Sequence, residues 1–167
     1  MGELSQRIDK CVAAVRSHWK EKASVGIILG TGLGALARQI ETQAEVPYGE
    51  LPGMPVTTLE THKGRLVLGK LAGKNVAAMD GRVHLYEGFS SQDVTFPVRV
   101  LRALGAETLI VSNVAGGMNP FYNIGDIVAI EDHINLMGVN PLVGPNEDEL
   151  GPRFPDMYQP YDAGLLR

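Results

Sequence analysis

The segment Gly81-Arg82-Val83-His84-Leu85-Tyr86-Glu87-Gly88 sets a guanidinium, an imidazole and a phenol at alternating positions. In an extended chain residues two apart share a face, so Arg82, His84 and Tyr86 are expected together, opposite Val83 and Leu85. Such a trio is costly to bury without a ligand or partners. Arginine grips a phosphate through two parallel N–H donors. A unit charge pair at about 4 Å is worth roughly 4 kcal/mol at an effective dielectric near 20, before desolvation is subtracted. A solvated face of an edge strand is the plainer reading; three different polar types between two glycines favour a site that binds an anion.

A second segment, Gly30-Thr31-Gly32-Leu33-Gly34, follows the apolar run Val25–Leu29 and precedes a helical stretch, Ala35–Ile40. Glycines in that position let backbone N–H groups approach an anion, and the helix N-terminus adds a favourable dipole. A tight turn without a ligand is equally compatible with the pattern. Gly30-x-Gly32-x-x-Ala35 also fits the loose dinucleotide fingerprint, but Glu50, at the right distance for its acid, falls in a proline-bounded loop. His62-Lys63-Gly64 is by itself uninformative. Asn113-Val114-Ala115-Gly116-Gly117 ends a buried strand, where ligands of α/β sheets gather, although a plain turn would read the same way. There is no Gly-x-Ser-x-Gly elbow, no Gly-x-x-x-x-Gly-Lys loop and no His-Glu-x-x-His or cysteine pair, so neither a nucleophilic serine nor a metal is expected.

The elements that must carry these segments follow from periodicity. Residues 4–20 place Ile8, Cys11, Val12, Val15 and Trp19 at helical spacing. Val25–Leu29 and Thr108–Val111 read as buried strands, Arg65–Leu71 and Asn75–Met79 as two strands joined at Ala72-Gly73-Lys74, and Asp126–Ile130 as a further strand. Residues 91–104 form a helix with Pro97 as its weak point. Pro47–Pro55 and Asn140–Tyr161 are loops. The alternation predicts an α/β domain with a mixed sheet. Asp162–Arg167 reads as the first turn of a helix, so the domain spanning residues 1–167 is expected to be truncated at its C-terminal end.

Composition bounds the partners. The 167 residues are 44% apolar and 20% charged, which suits one globular domain and excludes a disordered tail. Neither a signal peptide nor an apolar stretch of membrane length is evident, and the lone Cys11 on an apolar helix face fits a reducing cytoplasm. The net charge is -4, with Lys and Arg scattered, so no nucleic-acid partner is expected and any anion must be bound by local groups.

The motifs in order, Gly30–Gly34, His62-Lys63-Gly64, Gly81–Gly88, Asn113–Gly117, Asp132-His133-Ile134-Asn135 and Phe154-Pro155-Asp156-Met157, make the chain from Val25 onward resemble the trimeric purine nucleoside phosphorylases. Methylthioadenosine phosphorylases look different around Arg82–Gly88. The resemblance implies a twisted, mixed central sheet flanked by helices and phosphorolysis of a purine nucleoside to free base and ribose 1-phosphate, with inorganic phosphate as co-substrate, no cofactor and a homotrimer. It implies that Thr31, His62, Arg82 and the Val114 N–H bind phosphate. His84 would lie beside phosphate and ribose as a catalytic group, with Glu87 orienting it. Tyr86 would contact the ribose, together with Phe154 from a neighbouring subunit. Thr31 stands where serine is common and Val114 where alanine is usual. Family chains continue well beyond residue 167, and the part that reads the purine lies there. A short relative that binds phosphate or ribose phosphate without catalysis is the alternative.

Overall fold

The computed structural model describes residues 2–30, 32–58 and 63–167. The chain divides into two compact units, Met1–Val114 and Ala115–Arg167.

The first unit is built on a five-stranded sheet in the order β2-β3-β4-β1-β5: β1 Val25–Ile28, β2 Glu41–Pro47, β3 Arg65–Leu71, β4 Lys74–Asp80 and β5 Thr108–Val111. β1 pairs in parallel with both β4 and β5, whereas β3 runs antiparallel to β4 and to β2, so the sheet is mixed as expected. Leu66, Val67, Leu68 and Val76 to Met79 are all buried, because layers on both faces of the sheet remove the reason for polar alternation. Helix α1, Glu3–His18, turns Ile8, Cys11 and Val15 inward, and carries Glu3 in its first turn with Arg16 and His18 in its last, complementing the helix dipole. Burial pushes the Cys11 thiol up to about 11 against the opposing pull of Arg7, which fits a packing role. Helix α3, Ser91–Ala103, begins at Ser90, whose hydroxyl accepts from the Asp93 N–H at 3.1 Å, and tolerates Pro97 in its interior. Arg7 fastens α1 to this helix: its guanidinium donates to Asp93 and to the Gly53 carbonyl, and lies 4.1 Å from the Phe96 ring centroid.

Four expectations change. Thr108–Val111 forms its strand, β5, but as the outermost strand of the sheet it leaves Leu109, Ile110 and Val111 exposed rather than buried. The helix after the glycine loop is short, α2 Gly34–Ala37, rather than running to Ile40. Strand β2 has no counterpart in the sequence reading, because its exposed edge carries Glu41, Thr42, Gln43 and Glu45 in place of an apolar alternation. Asp126–Ile130 forms no strand: no ladder pairs with it, and Ile127, Val128 and Ile130 are exposed. In the second unit the ordered features are turns, a 3-10 turn at Asp148–Leu150 and loops held by Asn and Asp side chains, as in Tyr158 N–H to Asp156 and Gly164 N–H to Asp162. The Asp162 carboxylate and carbonyl accept from Leu165, the first turn of a helix in outline.

The β3–β4 hairpin turns on two residues, Ala72 and Gly73, both at positive φ (48° and 74°), which is the geometry of a type I′ turn. Ala72 is exposed and sits in a conformation that costs a Cβ-bearing residue about 1 kcal/mol, but that asparagine adopts readily. Ala72→Asn is therefore expected to raise stability by about 1 kcal/mol. A urea titration that gives an unchanged or lower midpoint would contradict the turn assignment.

Candidate functional site

The ends of β1, β4 and β5 meet at one edge of the sheet and present the three segments singled out above. After β1, the Gly30 N–H donates to Ser112 Oγ at 2.9 Å, while the Ser112 N–H donates to the Ile28 carbonyl at 3.0 Å. A Cβ on Gly30 would stand 2.4 Å from the Ser112 carbonyl oxygen, so only glycine fits this crossing. After β4, Arg82 reaches the same residue, its Nη1 donating to the Ser112 carbonyl at 2.6 Å. Burial pulls the guanidinium below its ordinary value, with Tyr86 pulling the other way. After β5 come Asn113 and Val114, whose carbonyl accepts from Asn113 Nδ2 at 3.2 Å. Thr31 and His62 lie outside the described residues.

The extended reading of residues 82–86 is corrected. His84 is extended (φ -133°, ψ 157°), but Leu85–Glu87 coil into a 3-10 turn closed by Gly88 at φ 95°. The turn brings the His84 and Tyr86 rings into a stack, 4.7 Å between centroids and 14° between planes, while Val83 is buried. The turn also brings Glu87 back under His84. Glu87 Oε1 accepts from the His84 backbone N–H and from His84 Nδ1, each at 2.8 Å. Its other oxygen accepts from the Thr57 hydroxyl at 3.0 Å, the Thr58 N–H at 2.9 Å and the Thr58 hydroxyl at 3.0 Å. Desolvation of this carboxyl, whose side chain is only 2% exposed, raises its pKa. The Thr58 N–H, His84 and the two threonine hydroxyls outweigh that and hold it at about 2. An ionised carboxylate only accepts, so His84 carries a proton on Nδ1.

Arg82, His84, Tyr86 and Glu87 are thus gathered at the end of β4, with Gly30 and Ser112 alongside. Phe154 belongs to the second unit, where it is exposed and its ring centroid lies 5.8 Å from the Arg153 guanidinium carbon. In the same unit His133 meets Tyr161 edge-on at 5.7 Å. Glu50 lies in the 3-10 turn Tyr48–Glu50 that follows β2, an edge strand that does not neighbour β1, so the dinucleotide reading lacks its acid.

Several residues escaped the sequence reading. Ser112 carried a weak signal, a hydroxyl at the carboxyl end of an apolar strand. Thr57 and Thr58 carried none, because they act 29 and 30 residues away from Glu87. Asp80 and Tyr48 belong here too: the buried Tyr48 hydroxyl donates to the Gly81 carbonyl at 2.7 Å, the Tyr48 N–H donates to the Gly64 carbonyl at 2.8 Å, and the Gly64 N–H donates to the Asp80 carbonyl at 3.0 Å.

Comparison with known proteins places this site in context. The model of the phosphorylase superfamily matches residues 24–167. The chain is 51% identical over 162 residues to purine nucleoside phosphorylase 1 of Bacillus subtilis, covering 97% of this chain and 60% of that one. For purine nucleoside phosphorylase 1 of Geobacillus stearothermophilus the identity is 49% over 158 residues, covering 95% and 58%. The crystal structure of isoform 2 of purine nucleoside phosphorylase from Schistosoma mansoni, in complex with cytosine and ribose-1-phosphate, superposes with a TM-score of 0.89 at 42% identity. That match covers 96% of this chain and 57% of the other, so the chain spans somewhat over half the length of the relatives it matches. Sequence and fold agree along nearly its whole length, and the chain belongs to the phosphorylase superfamily.

Proposed function

We propose that this chain supplies the phosphate and ribose side of a purine nucleoside phosphorylase, which converts a purine nucleoside and inorganic phosphate to free base and ribose 1-phosphate. The observation that carries the reading is the junction of Gly30, Ser112 and Arg82 beside a His84 imidazole locked by Glu87. A phosphorylase relative with ribose-1-phosphate bound has the same fold, which supports it.

In this reading a phosphate oxygen bonds to the anomeric carbon, the glycosidic bond breaks, and its electron pair leaves with the purine, which takes up a proton. The ribose carries positive charge in the transition state, and phosphate held below it serves as nucleophile and counter-charge. Arg82 supplies a charged donor to the phosphate, with Thr31, His62 and the Val114 N–H completing its cradle. The Glu87 carboxylate fixes His84 Nδ1, so that Nε2 is directed to phosphate and ribose. Tyr86, stacked on His84, contacts the ribose, and Phe154 serves the same pocket from a neighbouring subunit of a trimer. The reaction uses no cofactor, and the compartment is the cytoplasm; among the described residues no helix is long and apolar enough to cross a membrane.

The direct test is release of hypoxanthine from inosine, with and without phosphate. Phosphate-dependent release is expected from the protein that contains this chain; phosphate binding without release by the 167-residue chain would leave it a binding module. Arg82→Ala is expected to weaken phosphate roughly 10- to 100-fold, the range of a hydrogen bond to a charged group, with much less effect on nucleoside. Equal loss of both would remove Arg82 from the phosphate.

Glu87 makes a second prediction. Its folded pKa, at about 2, lies below the ordinary 4.5, so its contribution to stability is complete above pH 4.5 and fades as pH falls towards 2. Glu87→Gln should therefore be less stable than the parent at pH 7, and the gap should close on acidification below 4.5. Urea midpoints at pH 7, 4 and 3 give the difference; a gap independent of pH would show that the carboxylate is not held as described.

A further inference from the structure

Asp80 is one of two buried polar residues among those described in the core, the other being Ser5. It is the last residue of β4 and immediately precedes Gly81, at φ 108°, and Arg82. The hairpin register sets it opposite Arg65, which grips Oδ2 through Nε and Nη2, both at 3.0 Å. Lys63 Nζ approaches the same oxygen at 3.7 Å, and the Asp80 carbonyl accepts from the Gly64 N–H at 3.0 Å. A Cβ on Gly34 would lie 3.9 Å from the other oxygen, Oδ1, so the carboxylate also sits under the glycine loop. Three of the four segments that the phosphorylase reading assigns to phosphate therefore meet at one buried carboxylate that touches no substrate in that reading.

We propose that Asp80 is a positioning residue: it ties the Lys63-Gly64 stretch, which follows His62 in the sequence, to the end of β4 that leads into Arg82. The inference rests on the reading of Arg82 and His62 as phosphate groups. Two links act in parallel, the ion pair through Lys63 and Arg65 and the backbone bond to Gly64. Both restrain one short stretch of chain against the rigid end of a central strand. The ion pair has a second consequence. A carboxylate beside a phosphate site repels the ligand, and two cations drawn onto Asp80 cancel that field while their positions are set by it.

The sign of one substitution separates positioning from mere charge. Asp80→Asn keeps the size of the side chain and an acceptor oxygen but deletes a negative charge close to the anion site. If Asp80 were only a counter-ion, inorganic phosphate would bind as tightly or more tightly. If it positions the turn, phosphate should bind roughly tenfold more weakly, about the loss of one charge-assisted hydrogen bond. The measurement is calorimetric titration of inorganic phosphate into the 167-residue chain, alongside amide exchange at Lys63 and Gly64 without ligand. Both amides should exchange faster in Asp80→Asn and in Lys63→Met, while amides of α1 and β1 keep parental rates. Lys63 is 54% exposed, so Lys63→Met folds even if Asp80→Asn does not. The double variant should bind phosphate no more weakly than Asp80→Asn alone, because both changes cut one linkage. Unchanged exchange at Lys63 and Gly64 overturns the proposal, as does unchanged or tighter phosphate binding by a folded Asp80→Asn. If the parent chain binds no phosphate at all, the phosphorylase reading fails, and the exchange rates alone decide whether Asp80 holds the turn.

Discussion

Parallel neighbours in a sheet deliver their carboxyl ends to the same edge, and the whole candidate site depends on that constraint. β1 lies between β4 and β5 and is parallel to both, in registers that set Ile28 beside Met79 on one side and Val111 on the other. The chain therefore leaves the sheet at three adjacent points: Gly30, Gly81 and Ser112. Side chains need little reach to meet there, which is why Arg82 and the Gly30 N–H converge on one serine. The crossing is tight enough to exclude any Cβ at Gly30. The antiparallel part of the sheet has a different use. The β3–β4 hairpin returns Lys63 and Arg65 to the end of β4, bringing a fourth segment to an edge that parallel pairing alone would not supply.

Electrostatics explains how an acidic chain can offer such an edge to an anion. The two carboxylates nearest the site, Asp80 and Glu87, are both occupied. Glu87 accepts five hydrogen bonds from His84, Thr57 and Thr58, and Asp80 lies against Arg65 and Lys63. A carboxylate saturated with donors projects a weaker field than an isolated one, and its donors hold their geometry in return. The net charge of -4 is thus no obstacle, because the local balance differs from the global one.

The sequence made the sheet interior legible and the site only partly so, for one physical reason. β1, β3, β4, β5, α1 and α3 owe their existence to apolar residues at strand or helix spacing, a signal contained within each segment. β2 is held by its ladder to β3 and by polar side-chain bonds such as Trp19 Nε1 to Gln43 Oε1, with Val46 alone fully buried, and its acidic, exposed edge hides it. The error at Asp126–Ile130 is the converse: a strand-like pattern without a partner strand makes no strand. Within the site, Arg82, His84 and Tyr86 were recognisable by type, but the turn that stacks His84 on Tyr86 was not. Glu87 depends on Thr57 and Thr58, and Asp80 on Arg65, pairings across 15 to 30 residues that no local window contains.

The Glu87–His84 pair shows what such long-range satisfaction achieves. Histidine alone is ambiguous, since either ring nitrogen can carry the proton and the ring can turn about two bonds. Here a carboxylate that stays ionised down to about pH 2 holds Nδ1, the backbone N–H of the same residue binds the same oxygen, and Tyr86 covers one face of the ring. Tautomer, tilt and rotamer are therefore set before any ligand arrives. In the proposed reaction charge develops on the ribose only in the transition state, so a donor or acceptor that must first reorient loses part of its effect. Two threonines with no chemistry of their own, by fixing Glu87, determine where Nε2 points.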